Sequence, residues 1–162
     1  IITPDQCLTL EIHRRAPSRT LQETMMNLMI IDDESTEFAD TVKQKIVEFN
    51  QQHWQTLQRQ NLGLKLQDEQ GTLLAGLSGK TFGNWFLIDY LWVDEAFRQQ
   101  NIGSRLLLEA ESKAKQRGCQ FVLLDTLDFQ AKPFYERHGY RVQWVQQAYP
   151  ETGSKFFMVK VL

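Results

Sequence analysis

Residues 85–118, WFLIDYLWVDEAFRQQNIGSRLLLEAESKAKQRG, constrain the fold more than any other stretch of the chain. Trp85 to Val93 is an apolar run rich in β-formers, a short polar turn follows, and an amphipathic helix then runs to Gly118. In that helix Ile102, Leu106, Ala110 and Ala114 recur at helical spacing, Leu107 widens the stripe, and Glu109 and Lys113 form an i, i+4 pair outside it. Strand, turn and helix start meet at Arg98 to Ser104. A helix N-terminus carries N–H groups without intrahelical partners and partial positive charge, so this junction suits a phosphate without a metal. Two common phosphate loops do not match. The residues after Gly103 are Ser104 and Arg105, not the Lys-Ser/Thr of a P-loop, and the three spaced glycines of a dinucleotide fingerprint are absent.

The strand–helix alternation continues on both sides. Phe121 to Thr126 is a nearly continuous apolar strand of the kind buried on both faces, so strand, helix and strand imply a right-handed βαβ unit with two parallel neighbours. Upstream, Thr24 to Ile31 reads as a strand. Asp32 to Ser35 then offers caps for a helix whose Phe38, Val42, Ile46 and Phe49 share one face. Residues 50–61, which include Trp54, are a helix tail or a loop. Leu62, Leu64 and Leu66 alternate as a half-buried strand, Asp68 to Gly71 turns, and Thr72 to Lys80 returns as a hairpin. Phe129 to His138 is a short helix with Pro133 in its first turn, and Tyr140 to Val145 and Lys155 to Leu162 close the chain as an antiparallel pair. Residues 1–21 are an extension or an edge strand, and 22–162 form one domain.

Composition narrows the function classes. With 162 residues, 42% of them hydrophobic, the chain can bury a core without disulfides or metals. A net charge of −2 with interspersed signs gives no pull toward nucleic acid or an anionic membrane. Cys7 and Cys119 stand apart with no paired Cys or His, which argues against a zinc site and suits a reducing cytoplasm. No apolar run approaches a membrane span.

The loop Arg98-Gln99-Gln100-Asn101-Ile102-Gly103 resembles Arg/Gln-x-x-Gly-x-Gly/Ala, the acyl-CoA loop of the GNAT superfamily of N-acyltransferases. Asn101 replaces the first glycine, and Asn is the non-glycine residue that best tolerates positive φ. About thirty residues on, Asp128 to Tyr140 resembles the family's Asn-x-x-Ala helix start and the Phe-Tyr-Glu-x-x-Gly-Phe helix after it, through Ala131, Phe134, Tyr135, Glu136, Gly139 and Tyr140. Asp128 stands where Asn is usual. The resemblance covers residues 62–147. It implies an α/β (α+β) GNAT-type fold in a single domain, with a twisted mixed sheet of six to seven strands, splayed in the middle and flanked by three to four helices.

The resemblance also implies transfer of an acetyl group from acetyl-CoA, as co-substrate, directly to an amine of a small molecule. Asp89 interrupts an apolar strand on the face of Leu87, Leu91 and Val93, where burial would raise its pKa toward that of a general base. A structural carboxylate is the competing reading. The backbone of Leu91, Trp92 and Val93 would hold pantetheine where the central strand leaves its neighbour, with the side chains of Tyr90 and Trp92 in the core. Tyr135 would protonate the departing thiolate, since a phenol of pKa ~10 donates at neutral pH. The pyrophosphate falls to the N–H groups from Gln100 to Ser104, with Arg98 as a cation and Gln99 in the same turn. Asp128, Phe129, Ala131 and Phe134 would complete the coenzyme site. Trp54, Phe82, Trp85 and Tyr149 would wall the acceptor pocket. A non-catalytic acyl-CoA sensor, an enzyme acting on a protein or peptide amine, and a homodimer whose pairing forms the acceptor pocket are the alternatives.

Overall fold

The computed structural model describes residues 28–53 and 59–162. The chain divides into two units between Trp54 and Gln55.

In the first unit, helix α1 spans Thr36–Gln51. Ser35 caps it by accepting from the Phe38 N–H at 3.2 Å, and Asp33 in turn accepts from the Ser35 N–H at 2.9 Å. No residue of this helix is buried. The strand expected at 24–31 is not found in its described part. Leu28 to Ile31 form no strand and are exposed; β-propensity alone makes no ladder. Residues 24–27, the extension 1–21 and Trp54 lie outside the described residues.

The second unit is built on a sheet of six strands: β1 (Gln60–Gln67), β2 (Leu73–Phe82), β3 (Trp85–Val93), β4 (Phe121–Leu127), β5 (Arg141–Gln147) and β6 (Ser154–Val161), in the order β1-β2-β3-β4-β6-β5. Helix α2 (Ile102–Gln116) connects β3 to β4 and α3 (Lys132–Arg137) connects β4 to β5. Among the described strands only β3 and β4 run parallel, as a helical crossover requires. One sheet face packs on α2: Leu62, Leu77, Phe86, Ile88, Val122, Leu124 and Met158 join Leu107, Ala110 and Ala114 in a continuous core. Among the described residues no helix is long and apolar enough to cross a membrane.

Two irregularities shape the sheet. The β2–β3 register slips between Ser78 and Gly79, so Gly79 faces Ile88, Ser78 faces Tyr90, and Asp89 is left over as a bulge. The parallel β3–β4 pairing holds only from Trp85/Phe121 to Leu87/Leu123, after which the strands part.

Glu111 of α2 is buried against the sheet, where it accepts from the Tyr140 hydroxyl at 2.8 Å and pairs with Lys160 of β6. Lys160→Ala would leave that charge buried without its cation. The expected loss is about 3 kcal/mol, at the low end for a broken buried pair because Lys160 itself keeps some contact with water. Thermal melts should fall by about 10 °C. The double variant Lys160→Met with Glu111→Gln removes both charges, keeps an acceptor for Tyr140, and should recover most of the loss.

Candidate active site

The divergence of β3 and β4 opens a cleft of about 750 Å³. Its walls are Ile88 to Val93 on one strand and Leu124 to Thr126 on the other, closed by Arg98, Gly103, Phe129, Gln130, Ala131, Phe134 and Tyr135. Because successive side chains point to opposite faces, the opening passes through the sheet. Val93, Gly103, Phe134 and Tyr135 line it on the α2 side, and Asp89 and Asp125 on the other.

The turn into α2 leaves a run of backbone N–H groups without acceptors among the described residues. Gln99 and Asn101 take φ of 64° and 59°, so the residue in place of the motif's first glycine adopts the left-handed backbone that position calls for. Among the described residues, the N–H groups from Gln99 to Ser104 donate to no backbone or side-chain acceptor; the first helical bond is Arg105 N–H to Asn101 C=O at 3.0 Å. Gly103 lies against Val93 and Phe134: a Cβ there would meet a Phe134 ring carbon and a Val93 methyl carbon at 3.6 Å, ordinary contact that leaves room for alanine. Arg98 lines the cleft and donates through Nε to the Val93 carbonyl at 3.3 Å.

The β3 edge is exposed to the cleft through only part of the stretch 91–93. Asp94 N–H donates to Leu74 C=O on the β2 side, so alternation turns the peptide groups of Val93 and Leu91 toward the cleft and those of Trp92 toward β2. The Tyr90 and Trp92 side chains, expected in the core, are exposed. Both corrections follow from the bulge, which inverts the alternation: Leu87 pairs opposite Lys80 on one face, while Leu91, opposite buried Leu77, packs on the α2 side. The same bulge leaves Asp89 outside the core. Its side chain is 37% exposed and paired with Lys80 at 3.1 Å, so the burial expected to tune it as a base is absent.

Tyr135 sits on the other wall. It is 6% exposed, its ring lies edge-on to Phe134 and Tyr140, and its hydroxyl has no hydrogen-bond partner among the described residues. Burial, then the negative charge of Asp125, pushes its pKa up to about 12, so it keeps its proton throughout the neutral range. Tyr140 is shifted the same way by burial and by Glu111. Phenols with raised folded pKa values stabilise the fold fully below their unfolded value near 10 and lose that contribution as pH rises through the folded value. Melting temperature should therefore drop as pH rises from about 10 toward 12, and Tyr140→Phe should flatten the drop.

The other expected residues divide between the cleft and elsewhere. Phe129 and Ala131 line the cleft. Asp128 does not: its carboxylate accepts from the Ser154 N–H at 2.9 Å and so ties the β4 end to the start of β6. Phe82 and Trp85 sit at the far end of the β2–β3 hairpin, the first under Arg59 and the second stacked on Phe121, where the strands are still paired. Tyr149 is at the cleft's end of the sheet, its ring 4.2 Å from the Lys155 ammonium. Asp125 and Gln130 were not anticipated. Gln130 accepts from the Leu127 N–H at 2.9 Å, shaping the turn into α3, and a lone acid in an apolar strand was the available signal for Asp125. Among the described residues no His, Cys, Asp and Glu cluster could hold a metal.

A mixed sheet parted between its parallel strands, with a turn of unpartnered N–H groups on one side and a buried phenol on the other, is the splayed-sheet architecture expected of an acyltransferase. The model of the acetyltransferase (GNAT) family matches residues 25–140, and the chain belongs to that family: it is an acetyltransferase. It is 40% identical over 95 residues to a blasticidin-S acetyltransferase of Streptomyces morookaense, covering 58% of this chain and 70% of that one. It is 30% identical over 115 residues to an acetyltransferase of Agrobacterium fabrum, covering 71% and 84%. Among solved structures it is similar to an acetyltransferase from Bacillus cereus, with a TM-score of 0.77 and 33% identity over 83% of this chain and 98% of the other.

Proposed function

We propose that the protein transfers the acetyl group of acetyl-CoA to an amine of a small molecule. The observation that carries this reading is the parted β3–β4 pair, with unpartnered N–H groups on one side of it and the Tyr135 hydroxyl within it. Acetyl-CoA supplies the activated acyl group as a thioester. The N–H groups from Gln99 to Ser104 and the Arg98 guanidinium take the pyrophosphate, as helix-start amides do for anions. The Leu91 and Val93 peptide groups, freed from β4, hydrogen-bond the pantetheine arm. The acceptor amine enters from the face of Asp89 and Asp125 and attacks the carbonyl; as the C–S bond breaks, the Tyr135 hydroxyl gives its proton to the sulfur. The ammonium loses one proton to water at that open mouth before it attacks, since Asp89 is engaged by Lys80, and after the C–N bond forms its second proton leaves to water, which returns one to the Tyr135 oxygen. Similarity to an enzyme named for blasticidin S favours a small-molecule acceptor over a protein one. The test is thiol release from acetyl-CoA with blasticidin S, simple amines and peptides as acceptors, and with mass spectrometry of the product. Amine-dependent thiol release with an N-acetylated small molecule is the expected result. Binding of acetyl-CoA without release in the presence of any acceptor would indicate a sensor.

A further inference from the structure

Asp125 is the acid of β4 that no step above uses, and its surroundings are those of an ammonium site. It lies beyond the last β3–β4 rung at Leu87/Leu123, on the cleft wall, with its side chain 48% exposed. The Lys155 ammonium stands 3.5 Å from Asp125 Oδ2 and 4.2 Å from the centre of the Tyr149 ring. A carboxylate beside an aromatic face is the pairing that recognises an alkylammonium, by charge and by the ring's quadrupole. Here a side chain of the protein's own already occupies it. The contact is longer than a charge-assisted hydrogen bond and partly open to water, which makes it weak and replaceable. Across the opening Asp89 is also paired with a lysine, but among the described residues no ring lies over the Lys80 ammonium. The two walls are therefore not equivalent.

The cleft between them holds a further polar group. Tyr135, nine-tenths buried, turns an unpartnered hydroxyl into the same cleft, and the field of Asp125 reaches it. Resting on the acetyltransferase reading above, we propose that Asp125 and Tyr149 bind a second cationic group of the acceptor, which displaces the Lys155 ammonium. The acceptor class is then a small molecule with two cationic groups. One loses its proton and is acetylated, and the other stays charged on Asp125.

Calorimetry on the full chain saturated with coenzyme A, with 1,4-diaminobutane and 4-aminobutan-1-ol as probes, tests this. The probes share length and one amine and differ in the second charge. The diamine should bind about tenfold more tightly, the value of one charged hydrogen bond. Asp125→Asn should erase that difference while coenzyme A affinity, which also reports correct folding, is unchanged. Lys155→Met, which removes the internal competitor, should tighten the diamine further. Equal affinity for both probes, no heat with the diamine, or a difference that survives Asp125→Asn would overturn the proposal. Heat with coenzyme A but none with the diamine removes this inference alone; no heat with coenzyme A removes the acetyltransferase reading of the cleft as well.

Discussion

Replacing Tyr135 with phenylalanine is expected to lower kcat by about 100-fold to 10 000-fold, the usual contribution of a positioned general acid, while coenzyme A affinity stays as it was. The expectation follows from what the substitution leaves in place. The ring keeps its edge-on contacts with Phe134 and Tyr140, and the hydroxyl has no partner among the described residues that its loss would strand. The cost therefore falls on the transition state, where negative charge builds on sulfur, and not on folding or binding. Because burial holds the Tyr135 pKa up at about 12, no alkaline loss of activity from this group should be seen below about pH 10. Acyl donors with better leaving thiols would narrow the gap: with a thioester of a more acidic thiol, wild type and variant should converge. Steady-state kinetics of thiol release checks the kcat loss, and wild-type turnover in the variant would remove the acid role.

Gly79→Ala is expected to cost at least as much stability as Lys160→Ala. A Cβ at this position would collide with the Leu87 carbonyl oxygen and stand 2.9 Å from a Phe86 ring carbon. The first contact is backbone and cannot rotate away. Overpacking of this kind costs about 3 kcal/mol or more, a fall of about 10 °C in melting temperature. Gly79 sits where the β2–β3 register slips and opposite the last rungs before β3 and β4 part, so relief can come only by moving β3. The variant should lose coenzyme A affinity along with stability. Gly76→Ala on the same strand, where the nearest atom to a Cβ is 3.5 Å away, is the control and should be close to neutral.

Local chemistry carried most of what could be read from the chain. The α2 stripe, the Ser35 cap and the left-handed turn at Asn101 each depend on a few neighbouring residues, and the structure places them where spacing and residue type suggest. The six-stranded mixed sheet follows from strand–helix order. What escaped depended on partners distant in sequence. Regular alternation put Asp89 with Leu87, Leu91 and Val93, but the bulge that breaks it is set by the close approach of Gly79 on another strand. Tyr90 and Trp92 went to the wrong face for the same reason. Phe82 and Trp85 were assigned to the acceptor wall from their aromatic character, though residues that open a hairpin lie a strand's length from the end where β3 leaves β4. Asp128 matched a motif position, yet its carboxylate is used by Ser154, a contact made only when β6 folds back. Asp125 hid in an apolar run, since nothing local reveals that the neighbouring strand ends its pairing at Leu123.

The central claim is that acetyl-CoA enters the gap between β3 and β4 with its pyrophosphate on the turn before α2. Amide proton–nitrogen spectra recorded during an acetyl-CoA titration test it most directly. The account predicts the largest shifts at Gln99 to Ser104, with Leu91 and Val93 moving at the same ligand concentration and the β1–β2 amides still. Saturating acetyl-CoA that leaves the Gln99 to Ser104 amides unmoved would contradict it.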